Sequence, residues 1–530
     1  MQPLAGDRLS TARAIVRRSS ELVLRTPALL AGAVAAILGI CWVVLPHSGS
    51  DLAAQVAHAD FFAQNGWFPI DMRWFGGTDV LGYSILGPKL IAVVGVPASG
   101  VLSTVAASVL CGHLLTRCEV PHPRSGALVA TGCLVGNLVV GRLTFAVALV
   151  VGLATLACLW LETRWRVPLL VGGLVLTWAI SPLAALFLAM VGGALLVHGR
   201  RAEGSAMVLT LALLLLATAG IGQDGIMPIA GWDVVRGVIA CGLVAWVTRY
   251  PTVRVVAGLS ALSLVLAYFV TSPVGVNALR FPALFAVPIA LATSRYGWKV
   301  LLPVGGAIVG LAPPLNPGDV TMADQPANAA PFFAPLTAEL ATLHLTGRVE
   351  VVPTYNRWES VYVAARFPLA RGWMTQVDRA DNALFFRWRI TPAQYHRWLR
   401  ANAVQYVALS NSRPSAVGVN EAALVRSRPS YLRETWHSAH WKLYAVVHPT
   451  RTVEGATVRT QTGTAVSFQA ARPGPVLVRV KWSRWLTITG PNACLEPQRS
   501  WTRVVVRTPG RYRLSSDLVP GSAHLLCQPT

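Results

Sequence analysis

The chain has 530 residues, of which 54% are hydrophobic and 13% charged. That is about half the charged share of a soluble domain, so much of the chain belongs in lipid. The 45 Lys and Arg against 23 Asp and Glu give a net charge of +22, but the basic residues cluster at the ends of apolar stretches and no nucleic-acid motif accompanies them, which excludes nucleic acid as a partner.

Residues 1–26 carry Arg8, Arg13, Arg17, Arg18 and Arg25 and read as a retained cytoplasmic segment. The apolar run that follows, 27–46, is long enough to span a bilayer, and no small-residue cleavage site follows it. It leads directly into a polar first outer loop, 47–87, with the sequence HSGSDLAAQVAHADFFAQNGWFPIDMRWFGGTDVLGYS. Four acids, Asp51, Asp60, Asp71 and Asp79, fall inside this loop, together with three aromatic turns, GWFP, RWFGG and GYS.

Apolar windows and basic flanks then alternate. A second span, about 88–115, returns to Arg117 and Arg124. A third ends near Asn137, with Gly141 and Arg142 in a tight outer turn, and a fourth, to about 161, returns to Arg164 and Arg166. The stretch 167–197 is too long for one upright helix and basic at both ends, so it reads as two short spans broken at Ser181-Pro182. Spans at about 206–222, 232–248 and 255–271 follow, with Gln223 and Asp224 outside after the first of them. A tenth span returns to Arg295 and Lys299, and an eleventh, about 300–312, exits at LAPPLNPGD. The expected fold is thus a polytopic α-helical membrane protein with about 11 transmembrane helices over 27–313.

A Pro/Ala/Asn-rich linker, 314–335, marks a boundary. Residues 336–450 read as a mixed α/β domain, in which TPAQYHRWLRANA has helical periodicity with Thr391 as cap and VQYVALS and HWKLYAVV alternate like strands. Short alternating runs between turn signals over 451–530 read as a small β-sandwich. With an odd number of spans both regions lie outside the cell membrane. Cys494 and Cys527 are the only cysteines in this polar region, and an oxidising compartment would let them form a disulfide. The other six are scattered in or beside apolar spans without metal spacing and read as small buried hydrophobes.

Asp51 is the first candidate for chemistry. A carboxylate just past the first span can take the proton of an attacking hydroxyl. It can equally be a solvated aspartate of a capped helix, SDLAAQVAHADFF, with Ser50 as cap. Gln55 and His58 follow at one and two turns on the same face, either as a polar wall for a sugar or phosphate or as the wet side of an interfacial helix. Asp60 falls about 180° from Asp51 on a continuous helix, which disfavours a two-carboxylate site. Asp51, Gln55 and His58 do not complete a metal set, having no second His or acidic pair. Trp74 and Tyr83 in the aromatic turns are candidate sugar contacts. Lys89, Arg142 and Arg280 oppose the positive-inside bias and could neutralise a lipid phosphate or simply snorkel; Asn277 lies beside Arg280. Further on, the run 355–386 carries Trp358, Glu359, Arg371, Trp373, Gln376 and Asp378, residue types suited to carbohydrate and to a domain seam alike; Glu359 is the candidate substrate contact among them. Walker loop, GxSxG elbow and HExxH are all missing from the sequence.

An Asp just after the first span, a loop reading G-W-x-P, W-x-G-G and G-Y-S, many spans and an outer C-terminal region together resemble the GT-C superfamily of membrane glycosyltransferases. Runs such as GRLTF, SPLAALF, SPVGVNALR and ARGWMTQVD are similar to those of large actinobacterial membrane proteins of this type. The resemblance covers nearly the whole chain, but its functional motif is a single acid. It implies a plasma-membrane transferase that takes sugar from a polyprenyl-phosphate donor to a cell-envelope glycan, lipid or protein. Asp51 would be the catalytic base and Arg280, Arg142 and Lys89 would hold the donor phosphate. Asp51 is followed by Leu52 rather than by a second acid, and so departs from members with an adjacent acidic pair; the resemblance allows a divalent cation, Mg or Mn, without requiring one. Two other readings stay open: a transporter or flippase of a lipid-linked envelope intermediate, and a non-catalytic assembly protein that keeps the fold. Against transport, the spans show no two-fold repeat and few charges.

Overall fold

The computed structural model describes residues 26–82, 84–219, 225–518 and 527. The basic segment 1–25, Tyr83, Gln223 and Asp224 lie outside the described residues. The chain divides into two compact units. The first comprises Met1–His47, Val94–Ala219 and Met227–Val320; the second comprises Ser48–Val93, Gly220–Ile226 and Thr321–Thr530.

The first unit is helical. Its apolar helices are Pro27–Val44, Val96–Arg117, Pro123–Val140, Leu143–Ala157, Arg166–Ile180, Pro182–Val197, Arg201–Thr218, Gly231–Val247, Pro251–Phe269, Arg280–Thr293 and Trp298–Leu311. They fall on the apolar stretches of the sequence, and among the described residues seven helical segments are long and apolar enough to cross a membrane. The chain is a polytopic α-helical membrane protein with a C-terminal β-sheet region. Proline sits in the first turn of five of these helices, where its missing N–H would be unsatisfied anyway. The break expected at Ser181-Pro182 is present, with Ser181 in extended backbone between two helices.

The expected second span is not one helix. Gly87–Val94 and Val96–Arg117 are separated by Gly95 at φ 91°, a conformation that a side chain would strain, and Pro97 then starts the long helix.

Loops at one end of this unit are tied together. His122 N–H donates to Ala292 O, Arg249 N–H to Thr293 O and Arg295 N–H to Val247 O. Tyr250 Oη donates to Glu119 O. On the same side Arg200 donates to Leu159 O, and both Arg166 and Arg200 pair with Glu203. The opposite end carries Gly141–Arg142, Ser181 and the 3-10 turn Gly275–Leu279.

The second unit takes in the first outer loop, which the sequence suggested as an appendage of the membrane domain. Here it is built into the C-terminal region. Strands β1 (Ile70–Asp71) and β2 (Thr78–Asp79) form a small antiparallel hairpin. A four-stranded sheet in order β3-β4-β6-β5 joins β3 (Arg348–Val351) in parallel to β4 (Val404–Ser410), and β5 (Leu432–His437) and β6 (Trp441–Val446) extend it antiparallel. The helix Pro392–Ala401 before β4 starts with the expected Thr391 cap, made into a capping box by Gln394.

Strands β7 (Val453–Glu454), β8 (Thr457–Gln461), β9 (Val466–Ala470), β10 (Gly474–Lys481), β11 (Leu486–Thr489), β12 (Ala493–Gln498), β13 (Trp501–Val506) and β14 (Gly510–Ser516) form two four-stranded sheets, β12-β13-β10-β7 and β11-β14-β9-β8, that share one core. Phe468, Val478, Val504, Tyr512 and Leu514 fill that core, and Ile70 and Met72 of the hairpin enter it. Cys494 and Cys527 are joined by a disulfide. The Pro-rich stretch 314–335 is not an open linker. It contains the turn Pro326–Asn328 and the start of the helix Ala330–Thr342, because Phe332 and Phe333 bury their rings against Trp441. The division between the two units falls inside it.

Candidate functional site

Asp51 stands at the head of the helix Leu52–Asn65. The residue in the cap position is Asp51, not Ser50 as the sequence suggested, and its side chain makes no capping hydrogen bond. It is half-buried. The preceding carbonyl, of Ser50, accepts a 2.8 Å hydrogen bond from the indole Nε1 of Trp373. Arg357 in turn donates to Trp373 O at 2.9 Å. Two residues before Ser50, Ser48 Oγ donates to Ala323 O. Segments far apart in sequence, 321–323 and 357–373, thus fix the backbone around the acid.

The helix runs unbroken to Asn65, so Asp60 points away from Asp51, as its spacing required. Asp60 is half-buried, and burial raises its pKa, with Arg73 opposing the shift.

Gln55 and His58 are not a wet face. Both are buried, because the short helix Glu359–Tyr362 packs on this helix and Trp74 closes over it edge-on to the His58 ring at 5.4 Å. Burial lowers the His58 pKa to about 4, with the charge of Asp71 pulling the other way, so the imidazole is neutral near pH 7. Trp74 is a core residue rather than a sugar platform. It is fully buried under Gly372, where an added Cβ would stand 2.5 Å from Trp74 Cγ. Glu359 is also buried and accepts from Thr354 Oγ1 at 2.6 Å. Burial raises its pKa to about 7 against the pull of that hydrogen bond. These four side chains are buried rather than set on an open face.

Below the helix, Arg73 and Asp71 form a buried ion pair at 2.7 Å. Arg73 Nη2 also donates to Ala57 O at 2.8 Å, clamping the helix to the hairpin. The hairpin itself is held from both sides: Met72 N–H donates to Gly463 O, Lys481 N–H to Gly76 O and Leu369 N–H to Arg73 O. Trp485 Nε1 donates to Asp79. The spacing Asp71-x-Arg73 was the only sequence sign of this clamp; the Trp373 bond spans 323 positions and left no local sign.

Arg371 and Asp378 are structural. Arg371 pairs with Glu350 at 2.7 Å, with Glu421, and with Asp378 at 3.8 Å, all buried. Tyr395 Oη donates to Glu421 at 2.7 Å. Burial pushes the Glu350 carboxyl well above the usual range, opposed by Arg371. Lys89 lies over the Trp67 ring at 4.3 Å, in the same unit as Asp51.

In the first unit, Arg142 precedes the helix Leu143–Ala157 and Arg280 opens the helix Arg280–Thr293. The Arg280 guanidinium sits 5.7 Å from the Phe145 ring, so both cations gather at the head of one helix, where backbone N–H groups favour an anion. Asn277 Nδ2 reaches Pro273 O at 3.4 Å, in the 3-10 turn just before Arg280.

The residues present do not fit a divalent cation. Among the described residues no three His, Cys, Asp or Glu side chains come close enough to hold a metal, and the only histidine on the Asp51 helix is shut against Trp74. No step below uses one.

No protein-family model matches the chain, and comparison with curated proteins finds no match. Among solved structures it is similar to two cryo-EM structures of the arabinofuranosyltransferase AftD from Mycobacteria. One, of a mutant form, has 12% identity and a TM-score of 0.46 over 92% of this chain and 60% of that chain. The other has 14% identity and a TM-score of 0.45 over 92% of this chain and 57% of that chain. The chain spans about three fifths of the length of these structures.

Proposed function

We propose that the protein is a membrane glycosyltransferase of the GT-C type, acting on the outer face of the plasma membrane with its N-terminus in the cytoplasm. The sugar comes from a polyprenyl-phosphate donor and goes to a hydroxyl of an envelope glycan, lipid or protein. The observation that carries this reading is the half-buried carboxylate of Asp51, backbone-fixed through Ser50 and Trp373. It stands at the head of a helix that begins shortly after the first apolar helix ends at Val44. Seven residues of chain separate the two, a reach of at most about 25 Å.

In the reaction, the acceptor oxygen forms a bond to the anomeric carbon as the bond from that carbon to the donor phosphate oxygen breaks. Asp51 takes the acceptor proton, and polyprenyl phosphate leaves with the electron pair. Arg280 and Arg142, gathered at one helix head, are the candidates for the leaving phosphate; Lys89 is a third. The hydrogen bond from Trp373 to the Ser50 carbonyl holds the backbone next to Asp51.

The test is Asp51→Asn in the full chain, assayed against a panel of polyprenyl-phosphate sugars that includes arabinofuranose. We expect transfer to fall by about 10²-fold or more, with an unchanged melting temperature. Undiminished transfer overturns the assignment.

A further inference from the structure

The helical unit contains a cavity of about 600 Å³, within the range of small-ligand sites. Its walls are almost wholly apolar, with Leu149, Leu153, Phe187, Leu188, Ala257 and Phe285 among them. From Phe281 to Thr293, both on its lining, the helix rises about 18 Å, so the cavity is long enough for a stretch of lipid chain. Nothing about the proposed chemistry uses it.

Its charged lining is confined to one end, and Ser260, midway along Pro251–Phe269, is a further polar group on its wall. Arg117, Arg200, Tyr250, Thr252 and Thr293 line the charged end, with Trp160 beside them. This is the end at which the loops around 117–122, 247–250 and 293–295 are tied together and Arg200 reaches Leu159. Arg200 is shared with Glu203, whereas Arg117 makes no ion pair among the described residues. Arg142 and Arg280 do not line the cavity and lie at the other end of the unit. The mouth therefore offers positive charge and interfacial aromatics above an apolar slot. That combination matches an anionic headgroup with an acyl chain beneath it. The same end carries Arg124, Arg164, Arg201, Arg249, Arg254 and Arg295, the side that the positive-inside rule assigns to the leaflet rich in anionic lipid.

We propose that this cavity is a site for an anionic diacyl phospholipid of the bilayer, distinct from any sugar donor. One acyl chain lies along Leu153, Phe187 and Phe285, and the phosphate rests on Arg117 and Arg200. The inference does not depend on the transferase reading and holds whether or not Asp51 is catalytic.

The test uses the full chain in phosphatidylcholine nanodiscs. A small fraction of phosphatidylglycerol carries a photoactivatable diazirine in one acyl chain, and a parallel sample carries the same probe on phosphatidylcholine. Peptide mapping after illumination should place label in 149–160, 184–195, 253–260 and 281–289, at least five-fold more from phosphatidylglycerol. Arg117→Glu should bring the two probes to the same level while Arg117→Lys keeps the difference. Leu153→Trp, which fills the slot, should reduce labelling by both probes without changing the melting temperature. Equal labelling by the two probes in the unaltered protein overturns the proposal. So does label confined to other segments. Displacement of the probe by geranylgeranyl phosphate more readily than by phosphatidylglycerol would reassign the site to a prenyl phosphate and refute the phospholipid.

Discussion

Trp373 donates its indole proton to the carbonyl of Ser50, across 323 positions of sequence. The bond fixes the backbone one residue before Asp51 through a domain made much later in the chain. If Asp51 is the base, its aim depends on this contact. Trp373→Phe keeps the ring and removes the donor. One hydrogen bond contributes about 0.5–1.5 kcal/mol to stability, so the melting temperature should move little. Small misplacements of a reacting group are far more damaging to rate, and we expect transfer to fall roughly ten-fold or more. A variant with full transfer would show that the contact is structural only.

The Arg73–Asp71 pair should behave as a buried clamp. With side-chain exposures of 8% and 0%, removing one partner leaves a charge without its counterion. Asp71→Asn should destabilise the second unit by about 3–5 kcal/mol. The double substitution Asp71→Leu with Arg73→Met should recover part of that loss, because an apolar pair strands no charge. Melting of the full chain, followed through tryptophan fluorescence, measures both.

Stability should fall in mild acid because of His58. Unfolded, its imidazole takes a proton near pH 6.5; folded, it does so only near 4. Between those values the unfolded chain binds more protons, so stability present above pH 6.5 is lost as pH falls toward 4. Glu359 acts with the opposite sign. Its pKa is raised to about 7, so its contribution is complete at low pH and is lost as pH rises from about 4.5 through 7. His58→Phe should flatten the acid limb of a melting-temperature profile, and Glu359→Gln the neutral limb. A profile unchanged by either substitution would contradict the burial described for that residue.

The Cys494–Cys527 bond closes a loop of 33 positions. Chain-entropy arguments assign about 3–4 kcal/mol to a loop of this size. Dithiothreitol, or Cys494→Ser, should lower the melting temperature of the β-sandwich while leaving the helical unit unchanged. Hydrogen exchange mapped to peptides of 451–518 and of the apolar helices can follow the two regions separately.

Much of the architecture was legible from the sequence because hydrocarbon imposes long apolar runs and basic flanks. The break at Ser181-Pro182, the Thr391 cap and the alternating strands of 451–530 each have a local chemical cause. What was not legible was long-range. Gln55, His58 and Trp74 have the composition of a wet, sugar-binding face, and nothing nearby in sequence shows that Glu359–Tyr362 and Gly372 cover them. Arg371 and Asp378 read as residues suited to carbohydrate or to a domain seam for the same reason; the partners of Arg371, Glu350 and Glu421, lie 21 and 50 positions away. Gly95 was hidden inside an unbroken apolar window because hydropathy registers no dihedral angle.

The placement of 48–93 in one unit with 321–530 bears on biogenesis. Ribosomes add about 5–20 residues per second, so the hairpin bearing Asp71 and Arg73 emerges tens of seconds before β9 and β10 exist to receive it. During that interval its aromatic side chains have no native shelter. Some other cover, from a chaperone or from lipid, must guard the nascent segment until translation finishes.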